Sequence, residues 1–117
     1  MSDEITVYFN PKCSKCRTAH SLLDERGVDA TYYRYLEQAP SSGELERVMG
    51  LLGIDDPREM MRTGEDVYKE LHLKDASRDE LLEAMAANPI LIERPIVIKG
   101  DKAVIARPPE RALDLLT

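Results

Sequence analysis

The sequence predicts an α/β fold in which a βαβ unit opens the chain, helices fill the middle and a ββα unit closes it. Three observations carry this reading. Residues 5–9 alternate apolar and polar faces. The middle holds two Ser-x-x-Glu signatures, each ahead of an apolar run at helical spacing. Near the end, two β-branched runs flank Gly100-Asp101.

In the first strand Ile5, Val7 and Phe9 share one face, and Asn10-Pro11 breaks the pattern. From Ser14 the spacing turns helical, with Cys16, Ala19, Leu22 and Leu23 on one face. Gly27 is a suitable helix stop. Residues 30–36 are rich in strand formers and predict the second strand.

Ser41 with Glu44, and Ser77 with Glu80, are capping boxes for two helices. Between them, Asp56-Pro57 reads as N-cap and first residue of a short helix carrying Met60 and Met61. Thr63 with Asp66 reads as the cap of another short piece holding Val67 and Leu71. Asn88-Pro89 ends the last of these helices. Ile96-Val97-Ile98 and Val104-Ile105 then form a hairpin, and Pro108-Pro109 opens a final helix with Ala112, Leu113 and Leu116. The order predicts a thioredoxin-like fold (βαβ…ββα) with a helical insertion after the second strand, at about residues 41–88. The 117 residues suit a single domain, with 43% apolar residues for one core.

Net charge is -6, which repels phosphate backbones and argues against nucleic acid as a partner. No apolar run reaches the ~20 residues of a membrane span, and Met1-Ser2-Asp3-Glu4 is acidic rather than a signal region. A cytoplasmic chain is expected, where thiols stay reduced and two cysteines point to reactivity rather than a structural bridge.

The chemistry centres on Asn10-Pro11-Lys12-Cys13-Ser14-Lys15-Cys16-Arg17. Cys13 falls where a strand ends and a helix begins. Free N–H groups at a helix N-terminus, together with Lys12, Lys15 and Arg17, favour the thiolate, which is the nucleophilic form. Cys16 lies one turn on, on the apolar face, so it is either a resolving thiol or an inert core residue. A Cys-x-x-Cys beside a βαβ pattern is a redox signature. A zinc site would need a second ligand pair, and His20 and His72 lack ligand spacing; no metal is expected.

Arg62, Arg94 and Arg107 each sit at the end of an element, from where their planar forks could hold a tetrahedral oxyanion. Spacing alone cannot show that they converge. In a thioredoxin-like frame the proline at the start of the third strand faces the reactive cysteine in a cis peptide, so a cis Arg94–Pro95 bond is expected.

The chain resembles the glutaredoxin-dependent arsenate reductases (ArsC type), in particular their arsenate reductase-like branch. The resemblance rests on Asn10-Pro11-x-Cys13, Tyr35-Leu36-Glu37, Asn88-Pro89-Ile90-Leu91-Ile92-Glu93-Arg94-Pro95-Ile96-Val97 and Ala106-Arg107-Pro108-Pro109-Glu110. It implies Cys13 as nucleophile, Arg62, Arg94 and Arg107 as oxyanion-binding residues, and Asn10 and Pro95 in support. It implies reduction of arsenate to arsenite with glutathione as co-substrate, no bound cofactor, and glutaredoxin or thioredoxin as protein partner.

Two positions depart from the pattern. Phe9 stands where better-studied members have histidine, and Cys16 is a cysteine those members lack. Cys16 opens a route through an internal disulfide, so a general thiol–disulfide oxidoreductase is the first alternative. The second is a redox-sensing regulator of the Spx type, which shares the fold and the Cys-x-x-Cys and docks on RNA polymerase.

Overall fold

A computed structural model describes residues 4–116; Met1, Ser2 and Asp3 of the acidic start, and Thr117, lie outside the described residues. The chain divides into two compact units. One combines the residues up to Tyr35 with those from Arg94 onward, and the other is Leu36–Glu93.

The first unit is a four-stranded sheet with strands β1 (Ile5–Tyr8), β2 (Ala30–Tyr33), β3 (Ile96–Lys99) and β4 (Lys102–Ile105) in the order β2-β1-β3-β4. Helix α1 (Ser14–Glu25) makes the crossover between β1 and β2, which pair in parallel with Val7 opposite Tyr32. β1 and β3 are antiparallel with Val7 opposite Val97, and β3 and β4 close the hairpin. Gly100 in its turn has φ 59°, a conformation in which glycine carries no steric penalty.

The alternation read from the sequence places Ile5, Val7 and Phe9 in a core with Cys13, Cys16, Leu23, Val97, Ala106 and Ala112. α1 contributes Cys16, Ala19 and Leu23, each 0% exposed. It packs against a 3₁₀ segment at Pro109–Leu116. The end of α1 is a Schellman motif: Gly27 (φ 70°) donates to the Asp24 carbonyl and Val28 to the Leu23 carbonyl. This is the thioredoxin-like frame of strands and helices that the pattern implied.

The second unit contains α2 (Ser42–Leu52), α3 (Asp66–Glu70) and α4 (Arg78–Ala87), with 3₁₀ turns at Pro57–Met60, Leu73–Asp75 and Pro89–Leu91. α2 packs on α4. Leu45, Val48, Leu81 and Met85 are fully buried. A bridge between Met61 and Ile92 joins the two arms of the unit, reinforced by Arg62 N–H to Leu91 O (2.7 Å) and Glu93 N–H to Met60 O (2.9 Å). The unit runs a few residues past the expected insertion at each end.

Several local expectations are corrected. The second strand ends at Tyr33, not residue 36. There the Tyr35 N–H turns back to the Tyr33 carbonyl, and the Tyr35 ring stacks on Tyr8 with centroids 6.0 Å apart. The capping box at Ser77 and Glu80 forms both arms, but that at Ser41 forms one, because the Glu44 carboxylate turns to Arg47 at 2.7 Å. Glu65, not Thr63, caps α3, with no side-chain hydrogen bond. The turns after Asp56 and Pro108 are 3₁₀ rather than α; Asp56 does cap the first by accepting from the Arg58 N–H.

Candidate active site

Cys13 is the N-cap of α1, with φ -90° and ψ 122°. Its carbonyl accepts the first helical bond from Arg17 N–H at 3.1 Å, and its own N–H donates to the Asn10 carbonyl at 2.9 Å. The Asn10 side chain accepts from the Lys12 N–H at 3.0 Å, an Asx turn that fixes the loop leading into the helix. Asn10-Pro11 is therefore a device that holds the Cys13 backbone at the head of α1, where free N–H groups gather.

Both cysteines are free thiols in the core of this unit. Cys13 keeps 9% exposure and Cys16 has none, so a reagent from solvent meets Cys13 first. Cys16 lies within hydrogen-bonding reach of Cys13, one turn up the helix. Burial pushes the Cys16 thiol up to about 12 from an ordinary 9.0. The neighbouring Cys13 adds to that rise, while the Asn10 backbone N–H and the Arg107 charge oppose it. At neutral pH Cys16 is a thiol.

Arg107 lies just beyond β4, separated from it by Ala106, and is half-buried. Its Nη1 donates to the Arg94 carbonyl at 3.0 Å, tying together the two arginines that flank the β3–β4 hairpin. The Arg94–Pro95 peptide is cis, as expected, and so is Arg107–Pro108. Asn10, Cys13, Cys16, Arg94, Pro95 and Arg107 thus belong to one unit, with Arg107 close enough to Cys16 to act on its proton.

Arg62 belongs to the other unit. There Nε donates to Glu65 Oε2 at 3.1 Å, and Nη1 lies 3.6 Å from Glu93 Oε1. Two carboxylates therefore offset its charge and fix its plane, a feature that no spacing in the sequence announced. Phe9, at the position where the resemblance expects histidine, packs edge-on against His20 (centroids 5.9 Å) and Tyr32 (5.3 Å). His20, exposed on α1, lays its ring against Phe9 and Tyr32. Among the described residues, no group of three or more His, Cys, Asp or Glu side chains is placed to hold a metal ion, and no helix is long and apolar enough to cross a membrane.

The ArsC family matches residues 8–115. The chain belongs to the ArsC family. It is 46% identical to an arsenate reductase of Haemophilus influenzae over 114 residues, 96% of this chain and 98% of that protein. An arsenate reductase of Escherichia coli is 36% identical, over 96% of this chain and 80% of its own length. The solved structure of an arsenate reductase from Vibrio cholerae superposes with a TM-score of 0.94 at 45% identity, covering 97% of this chain and 98% of that one.

Proposed function

We propose that this ArsC-family chain is an oxidoreductase that reduces arsenate to arsenite through the Cys13 thiolate, with electrons supplied by glutathione and glutaredoxin. The observation that carries the reading is the placement of the more accessible thiol, Cys13, at the head of α1 in the same unit as Arg94 and the hydrogen-bonded Arg107. The family membership supports it.

The chemistry runs in two steps. The Cys13 thiolate attacks arsenic(V) and a hydroxyl leaves as water once protonated, giving a sulfur–arsenic bond. A second thiol then attacks the Cys13 sulfur. A disulfide forms, the sulfur–arsenic electron pair stays on arsenic, and arsenite departs. Two thiols are oxidised by two electrons in all, and one water is released. Arg107 and Arg94 hold the oxyanion and spread the charge that grows on its oxygens. The same role for Arg62 rests on the family resemblance.

The test is arsenate-dependent NADPH oxidation with glutathione, glutaredoxin and glutathione reductase. Wild type should turn over, and Cys13→Ser should lose at least ~10³-fold in rate. Absence of arsenate turnover in the wild type, with thioredoxin as well as with glutaredoxin, would discard the reading. The contact between Cys16 and Cys13 favours a thiol–disulfide oxidoreductase as second reading, for which disulfide substrates would be reduced in that case.

A further inference from the structure

We infer that Cys16 is the second thiol of the cycle. It attacks the sulfur of a Cys13 adduct from within the helix, so that the oxidised product is an internal Cys13–Cys16 disulfide, returned to the dithiol by a dithiol reductant. This rests on Cys13 being the nucleophile of the proposed function.

Three observations carry it. The two cysteines sit in the first turn of α1, Cys13 at its N-cap and Cys16 three residues on, both inside one packed core. An attacking thiol held in place acts at a far higher effective concentration than one in solution. Cys13 keeps 9% exposure and Cys16 none, so Cys13 meets the substrate while Cys16 sits behind it.

The surroundings of Cys16 set the order of events. In the resting state burial, with the Cys13 sulfur beside it, holds the proton on Cys16. Once Cys13 is bonded to arsenic or to another sulfur, its share of that effect is gone. The Asn10 N–H and the Arg107 guanidinium remain, and both favour the Cys16 thiolate. An adduct on Cys13 thus leaves Cys16 easier to deprotonate than in the resting state, at the moment it has a sulfur to attack. Its proton passes to the departing oxyanion or thiolate, a sulfur–sulfur bond forms, and the electron pair of the broken bond leaves with arsenic or with the displaced sulfur. A dithiol of the thioredoxin or glutaredoxin class then takes the oxidation by disulfide exchange.

The experiment needs no arsenate, so its outcome is separate from that of the proposed function. The reduced full-length chain is treated with one equivalent of glutathione disulfide, quenched with acid, and its intact mass and free thiols are read. The expected wild-type product has lost two thiols and two hydrogens and carries no glutathione. Cys16→Ser, or Cys16→Ala if the serine is not tolerated, should instead accumulate one glutathione on Cys13. A wild-type chain that retains glutathione on Cys13 with Cys16 still free to alkylate would overturn the inference, and that measurement depends on no variant. In the arsenate assay, the same inference expects turnover with thioredoxin and thioredoxin reductase in the absence of glutathione.

Discussion

In the sheet unit Arg107 gives one N–H to a backbone carbonyl and lends its charge to a buried thiol. In the helical unit Arg58 is wholly occupied in construction. It donates to the Tyr68 hydroxyl at 3.2 Å, to Asp56, and to the carbonyls of Leu73, Lys74 and Ala76 at 2.8, 2.8 and 3.0 Å. The contrast reflects what each unit has to work with. The sheet satisfies its backbone through ladders and is stabilised by an apolar core. The helical unit is built from short helices and 3₁₀ turns, whose terminal carbonyls need partners that the backbone does not supply. A guanidinium with five donors meets that need.

Breaking each unit at its own support should separate them. Leu23→Ala removes a side chain with no exposure from the sheet unit's core and should cost about 3 kcal/mol in denaturant unfolding. Hydrogen exchange should quicken in β1 and α1 before α2 and α4. An even loss of protection across both units would show that they unfold as one. The Cys16 thiol gives the sheet unit a second signature. Its folded pKa is raised, so both folded and unfolded chains hold the proton below about 9.0 and the stability is full there. As pH climbs from 9.0 towards about 12, the unfolded chain loses the proton first, and stability falls by up to a few kcal/mol. Denaturant midpoints on either side of pH 9.0 should show a steeper decline for wild type than for Cys16→Ala; equal slopes would refute this.

Arg58→Ala should cost about 2 kcal/mol, since its side chain is 27% exposed and its removal leaves part-buried carbonyls without that donor. Protection should fall first in α3 and the turns around it, and a loss that began in the sheet would reverse the comparison. The smallest effect sharpens the account of the helical unit. Ser77→Ala removes the hydroxyl arm of the full box and should lower stability by about 1 kcal/mol. Glu80→Ala, which removes the reciprocal arm to the Ser77 N–H, should cost about 0.5 kcal/mol. No loss in Glu80→Ala would mean that the reciprocal arm contributes nothing.

The sheet was readable because alternation and turn chemistry are local. Ile5, Val7 and Phe9 announced their face, and Gly100 announced its turn. The setting of Cys13 was readable too, since Asn10-Pro11 and the helix start fix its place at the head of α1 within a few residues. Arg94 and Arg107 could be suspected singly, but the hydrogen bond between them spans thirteen residues, and only folding the hairpin reveals it. Arg58 bonds to carbonyls 15 to 18 residues away, and Glu93 meets Arg62 across the Met61–Ile92 bridge; neither contact leaves a periodic trace. A proline at the first position opens an α-helix and a 3₁₀ turn alike, so Asp56-Pro57 and Pro108-Pro109 do not tell the two apart.

The outermost strands of the sheet, β2 and β4, are each only four residues long. β2 is bracketed by exposed Asp29 and Arg34, and β4 opens on exposed Lys102 next to Asp101. Unpaired strand margins are where chains zip onto one another, and short margins flanked by charge make poor templates for such growth. The chain can therefore keep Cys13 and Cys16 within an apolar sheet core while its sheet resists extension into an aggregate.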